Sequence, residues 1–255
     1  MMRWLAANGV HPMVLDWGEP EPAFTLSDHI AGRLVQAMEA CRQASGGQPL
    51  TLAGYCMGGT FAAAAAALRP DLVRRLILLA SPWDFHAGGP PAFPPTLPPG
   101  LQLVPVDQMQ AAFALADPDA VARKFRRFSG MKQDSAAARL FVAIEDWLND
   151  GVPLSGATAR ECLRDWYRDN LPVRGTWQVA GQTINPATIN VPVFAAVPRR
   201  DRIVQPDSAL ALVRLLPHVT LLEPDAGHVG MTAGAAARTV LWEAMRGWLE
   251  RSADL

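Results

Sequence analysis

The sequence predicts an α/β protein. A mostly parallel sheet is built from the two ends of the chain, with a largely helical insertion between them. Three observations carry this. Short apolar runs alternate with helix-like stretches over the first third of the chain. The alternation stops at a proline-rich segment and resumes near residue 191. One early run passes through a glycine-flanked cysteine straight into an alanine-rich stretch.

In order along the chain, Arg3–Ala7 reads as the end of a helix and His11–Asp16 as a short apolar strand. Ser27 is the expected N-cap of a helix reaching about Ala44, with Ile30, Leu34, Met38 and Cys41 on one face. Gly46-Gly47 ends that helix. Pro49–Ala53 is the next strand, Gly58–Leu68 the next helix, and Leu76–Ala80 a buried strand. Pro90–Pro105 holds seven prolines and suits neither helix nor central strand. Asp107–Tyr167 reads as helical. The strand Val191–Val197, a helix over about Ser208–Leu215, the strand Val219–Leu222 and a helix over about Ala235–Leu249 complete the pattern. The expected organisation is a core of residues 1–84 and 191–255 with a cap or lid of residues 85–190.

Composition excludes several classes of function. The 255 residues carry 23 Lys+Arg against 24 Asp+Glu, a formal net charge of −1, which argues against nucleic acid or an anionic membrane as the main partner. Half of the residues are hydrophobic, so disorder is not the default. The longest apolar run, Phe61–Leu68, is far short of the roughly 20 residues that span a bilayer. Three cysteines at wide spacing make neither a disulfide framework nor a zinc pattern. The expectation is a cytoplasmic protein with no metal and no cofactor.

The stretch from Leu50 to Thr60 (LTLAGYCMGGT) carries the chemistry. A strand enters Gly-x-Cys-x-Gly and a helix begins at once, which is the nucleophile-elbow arrangement with Cys in the place of Ser. The turn lifts the Cys56 side chain clear of the sheet. Gly54 and Gly58 are expected to remove side chains that would collide where strand and helix cross. The helix N-terminus favours thiolate, and the Met57 N–H points where an oxyanion would form. A lone free cysteine is ordinarily a small buried hydrophobe, and Cys41 and Cys162 are read that way.

In this architecture the order along the chain is nucleophile, acid, histidine. His228, between glycines 227 and 230 after the final strand, is the candidate base; His218 reads as part of a solvated turn. Asp201, after the strand Val191–Val197, is the candidate acid, and Asp84, one strand earlier, is the alternative. Asp225 is too close to His228 in sequence to be the first choice. His228 would take the thiol proton, and Asp201 would fix its tautomer and stabilise the imidazolium.

At these residues the chain resembles the polyhydroxyalkanoate synthases, the Cys-dependent branch of the α/β-hydrolase fold. The family's Gly-x-Cys-x-Gly-Gly-Thr box matches Gly54 to Thr60. Asp16-Trp17-Gly18 with Pro20, the segment ending in Asp84-Phe85, Trp147-Leu148-Asn149-Asp150, Asp201-Arg202-Ile203-Val204 and Gly227-His228-Val229-Gly230 resemble further family segments. The resemblance implies an acyltransferase that polymerises an (R)-3-hydroxyacyl-coenzyme A through a thioester on Cys56. It favours Asp201 over Asp84, and it implies a homodimer or a partner synthase subunit and association with polyester granules. The family's upstream strand and loop, which supply a second oxyanion N–H, have no counterpart before Arg3. The expectation is therefore weak turnover or poor solubility from these residues alone. Two other readings stay open: a thioesterase or esterase on the same triad, and a non-catalytic remnant that binds acyl chains or a partner synthase.

Overall fold

The computed structural model describes residues 1–88, 96–98, 100–116 and 119–251; residues 90–95 and 99 of the proline-rich stretch lie outside it. The helices are α1 (Met2–Ala7), α2 (Val35–Ala44), α3 (Met57–Leu68), α4 (Val106–Ala116), α5 (Ala120–Ser129), α6 (Ala136–Asn149), α7 (Gly156–Glu161), α8 (Pro206–Val213), α9 (His228–Ala233) and α10 (Glu243–Arg251). Wider π-helical turns precede α2 (Asp28–Leu34), follow α7 (Cys162–Arg168) and precede α10 (Arg238–Trp242). The strands are β1 (Leu50–Tyr55), β2 (Val73–Leu79), the short pair β3 (Leu103–Val104) and β4 (Leu154–Ser155), the hairpin β5 (Gln178–Val179) and β6 (Gln182–Thr183), β7 (Val193–Ala196) and β8 (Val219–Leu222).

The main sheet is four-stranded and all-parallel in the order β1-β2-β7-β8. Its inner strands read as continuous apolar runs over Leu76–Leu79 and Val193–Ala196, because both faces are covered there. One face packs on α3 and the segment 28–44; Ala62–Ala66 are essentially inaccessible, and their small side chains let α3 lie close to β1 and β2. The other face packs on α1, α9 and α10 through Ile77, Phe194, Met231, Leu241 and Trp248. Trp177, Val179, Ile184 and Ile189 join the first core together with Trp83. Among the described residues, no helix is long and apolar enough to cross a membrane, and no group of His, Cys, Asp and Glu could hold a metal ion.

Two expectations need correction. Residues 11–16 are not a strand. Apolar residues alone do not make one; a ladder partner is needed, and the outer edge of β1 pairs with no strand among the described residues. Val14 is exposed there, while Leu15 and Trp17 pack on the core. Ser27 is not an N-cap: its backbone is already helical, and its Oγ accepts the Ala180 N–H at 2.8 Å. The capping interaction lies two residues earlier. The Thr25 N–H donates to Asp28 Oδ2 at 2.9 Å and the Asp28 N–H to Thr25 Oγ1 at 3.2 Å, a reciprocal pair with Asp in the usual Glu position.

Candidate active site

Cys56 sits between β1 and α3 with φ 54° and ψ −128°, a conformation that costs a residue with a Cβ about 1–3 kcal/mol. The surroundings hold it there. The Cys56 N–H donates to the Leu79 carbonyl at 2.8 Å, continuing the β1–β2 ladder, and its carbonyl accepts the Gly59 N–H at 2.8 Å, starting the helix. Strand hydrogen bonding ends and helical hydrogen bonding begins on one residue. The side chain is thereby turned off the sheet and onto the first turn of α3.

Two glycines permit this crossing. A Cβ at Gly54 would overlap the Gly58 carbonyl and Gly59 Cα, and one at Gly59 would overlap the Ser81 side chain. Gly58, by contrast, has open space around its Cβ position and borders the cavity. The collision expected at Gly58 therefore belongs to Gly59, because Ser81 at the end of β2 stands behind that residue.

Asp201 and His228 meet although 27 residues separate them. Both are buried. Asp201 Oδ1 accepts the Ile203 and Val204 N–H groups, each at 2.9 Å, and Oδ2 accepts His228 Nδ1–H at 2.6 Å. His228 is the first residue of α9, and its imidazole lies near enough to Cys56 for the two to influence each other electrostatically. The Tyr55 ring packs on the imidazole with centroids 4.8 Å apart. Backbone bonds tie the two loops together, from Arg199 N–H to the Pro224 carbonyl and from Arg200 N–H to the Ala226 carbonyl, both at 3.0 Å.

Burial works against charge on His228 and is the largest single influence. The hydrogen bond to Asp201, with the influence of the neighbouring Cys56 and the Asp201 charge, outweighs it and raises the imidazole to about 9. The arrangement can therefore keep a proton on His228 at neutral pH beside the sulfur. The Met57 N–H is the first of α3 and precedes its intrahelical bonds, so it is available to an oxygen at the Cys56 side chain.

Asp84 is not part of this group. Its Oδ1 accepts from Asn170 Nδ2 at 2.8 Å and from the His86 N–H at 3.0 Å. Asp225 forms an exposed ion pair with Arg200 at 2.8 Å.

A cavity of about 530 Å³ opens at Cys56, lined largely by apolar side chains from α3, the segment 104–112 and the segment 152–167. Trp166, one of the tryptophans of the insertion that suit an apolar tunnel or core packing equally in the sequence, lines it; so does His29, which escaped the sequence reading because nothing local marks it.

The chain matches the model of the alpha/beta hydrolase fold over residues 18–233. A Poly(3-hydroxyalkanoate) polymerase subunit PhaC of Haloferax mediterranei is 28% identical over 99% of this chain and 54% of its own length. PhaC subunits of Synechocystis sp. and Allochromatium vinosum are 27% and 28% identical, each over 97% of this chain and 72% and 74% of their own lengths. The chain thus spans between about half and three quarters of these relatives. Among solved structures, a meta-cleavage product hydrolase of Pseudomonas fluorescens superposes with a TM-score of 0.53 at 15% identity over 91% of this chain and 75% of that one. An esterase of Thermogutta terrifontis gives 0.51 at 18% identity over 91% and 74%. At these identities the solved structures speak to the fold alone. The match over residues 18–233 places this chain in the alpha/beta hydrolase fold family, and over nearly all of its length it is similar to PhaC subunits.

Proposed function

We propose that the protein is an acyltransferase that takes 3-hydroxyacyl groups from coenzyme A onto Cys56 and joins them into a polyester. The observation that carries this is a cysteine beside the hydrogen-bonded Asp201–His228 pair, lining a largely apolar cavity of about 530 Å³. The cysteine-centred elbow and the PhaC relatives support the same reading.

In the proposed reaction the Cys56 sulfur attacks the thioester carbonyl, and the Met57 N–H stabilises the oxyanion. The carbon–sulfur bond to coenzyme A breaks, and His228 gives its proton to the departing thiolate. One thioester replaces another, so the step is close to thermoneutral. His228 is then neutral and can remove the proton from the 3-hydroxyl of a second acyl unit. That oxygen attacks the Cys56 thioester, an ester bond forms, and the thiol is released. Asp201 keeps Nδ1 protonated and Nε2 turned to the sulfur throughout. Residues 85–190 act as the cap that limits water access, which separates transfer from hydrolysis.

The test is to incubate the protein with (R)-3-hydroxybutyryl-coenzyme A, locate the acyl group by mass spectrometry of peptides, and analyse the products. Acyl-Cys56 and ester-linked oligomers are expected. Free 3-hydroxybutyrate in place of oligomers would make the protein a thioesterase. No acyl-Cys56 at all would end the catalytic reading.

A further inference from the structure

The side chains of β1 alternate about the sheet. Leu50 and Leu52 pack into the core on the α3 side, and a Cβ at Gly54 would point at the Gly58 carbonyl of α3. Tyr55 leaves on the opposite face, where it joins the core built with α9 and α10. His228 opens α9 on that face. The two rings pack with centroids 4.8 Å apart and planes 32° from parallel. The Tyr55 hydroxyl is buried with no hydrogen-bond partner among the described residues, and it lies within electrostatic reach of Cys56 and Asp201. Burial, and after it the charge of Cys56, push this hydroxyl up, so the ring stays neutral. What Tyr55 supplies is a neutral aromatic face set against the imidazole.

One hydrogen bond does not fix an imidazole. The bond from His228 Nδ1 to Asp201 Oδ2, 2.6 Å long, holds one edge of the ring and leaves it free to rock about that line. A contact on the ring face removes that freedom. The support is rigid, because Tyr55 is in register with Leu79 of β2 and the Cys56 N–H that follows donates to the Leu79 carbonyl at 2.8 Å. One strand end thus carries both the sulfur and the surface on which the imidazole rests. The face also acts on charge. An aromatic face is negative, and a cation within about 6 Å of its centre is attracted to it, most strongly where water is excluded. His228 is buried, so the Tyr55 face offsets part of the penalty that burial places on imidazolium. Asp201 and Cys56 are the charged groups that act on His228. Arg200 and Asp225, in the loops beside it, pair with each other, and Arg238, on the turn packed against α9, pairs with Glu243.

We propose that Tyr55 is a positioning residue for the Cys56–His228 pair. Its ring face holds the imidazole turned toward Cys56 and favours imidazolium over the neutral ring. This rests on reading Cys56 and His228 as the reacting pair, and it is independent of whether a hydroxyl or water accepts the acyl group.

The experiment uses the full chain and no acyl substrate. The imidazole resonances of His228 are followed by NMR from about pH 5 to pH 10 in the wild type, Tyr55→Leu and Tyr55→Phe. Tyr55→Leu should lower the His228 titration by about one unit, and Tyr55→Phe, which keeps the face, should restore it. Modification of Cys56 by iodoacetamide at neutral pH should slow in the leucine variant and recover in the phenylalanine variant, because imidazolium supports the thiolate. In the wild-type protein, nuclear Overhauser contacts between the Tyr55 and His228 rings should persist on both sides of the titration. That arm needs no variant to fold, and the chain has only two tyrosines, so its assignment is direct. An unmoved His228 titration in Tyr55→Leu, a phenylalanine variant that behaves like the leucine one, or missing contacts between the two wild-type rings would overturn the proposal. Acylation of wild-type Cys56 is measured separately. Its failure alongside an intact dependence of His228 on the Tyr55 ring would end the acyltransferase reading and leave this one standing.

Discussion

Cys56 and Cys162 line the same cavity, yet their surroundings differ in every respect that matters for reactivity. Cys56 is half-buried at a positive φ, at the start of α3, within electrostatic reach of His228. Cys162 is buried at helical angles inside a continuous run of turns from α7 into Cys162–Arg168. Burial, and then the charges of Glu161 and Asp165, push its thiol up. Lining a cavity therefore does not set a cysteine apart. The backbone does, by placing the sulfur at a helix start rather than inside a helix and by bringing an imidazole near it from another strand end.

The largest expected effect removes one side of this comparison. Cys56→Ala should abolish acyl transfer, on the order of 10⁶-fold where turnover is measurable, as for other nucleophiles that act as a unit with their base. Cys162 should not take over, and an acyl group found on Cys162 in that variant would break the contrast. Next in size is Asp201→Asn. The amide presents the wrong partner to Nδ1 and lets the imidazole adopt the other tautomer, so turnover should fall about 10⁴-fold. A loss under ten-fold would mean that His228 is oriented by something else, with Tyr55 packing on its ring as the candidate.

The third prediction tests the thiols directly. Iodoacetamide should modify Cys56 about 10²-fold faster than Cys162 at neutral pH in the folded protein, read by peptide mapping. In denaturant the two rates should converge, because the unfolded chain keeps neither the helix start nor the burial. Rates that differ equally in both states would show a local sequence effect instead of a structural one.

Those same positions show how much was legible in the sequence. The elbow was readable because its signal is local: a strand, two glycines around a cysteine and a helix, within 19 residues from Leu50 to Leu68. Asp201 and His228 were readable because each follows a strand at the same edge of a parallel sheet. What was not legible depends on a second element. Gly58 and Gly59 look alike in the chain, and only Ser81 at the end of β2 makes the second one the restricted position. The apolar run 11–16 has strand-like residues and no ladder partner among the described residues. Thr25 with Asp28 was legible as a capping pair and was passed over for Ser27, which instead holds the backbone of Ala180, 153 residues away. His29 lies beside the fully buried Ile30 in sequence, and neither its burial nor the lack of hydrogen-bond partners for its ring nitrogens among the described residues shows until the chain is folded.

The smallest expected effect concerns pH, and it separates His228 from Cys162 again. An unperturbed histidine titrates near about 6.5, whereas folding raises His228 to about 9. Below about pH 6.5 the imidazole is charged in both the folded and the unfolded chain, and its bond to Asp201 contributes fully. Between about 6.5 and 9 the unfolded chain gives up the proton while the folded one keeps it, so folding takes up a proton and stability falls as pH rises. Above about 9 the contribution is gone. Thermal unfolding followed from about pH 6 to about pH 9 should show Tm declining across that window. Asp201→Asn removes the carboxylate that holds the proton, so its decline should be shallower. Cys162 enters only at the alkaline end, where the unfolded thiol ionises at about 8.5 while burial keeps the folded one protonated, and it does so equally in both proteins, so it cancels from the comparison. Parallel curves for the two proteins would mean that the carboxylate does not hold a proton on His228, and the pairing of Cys56 with a charged imidazole would fall with it.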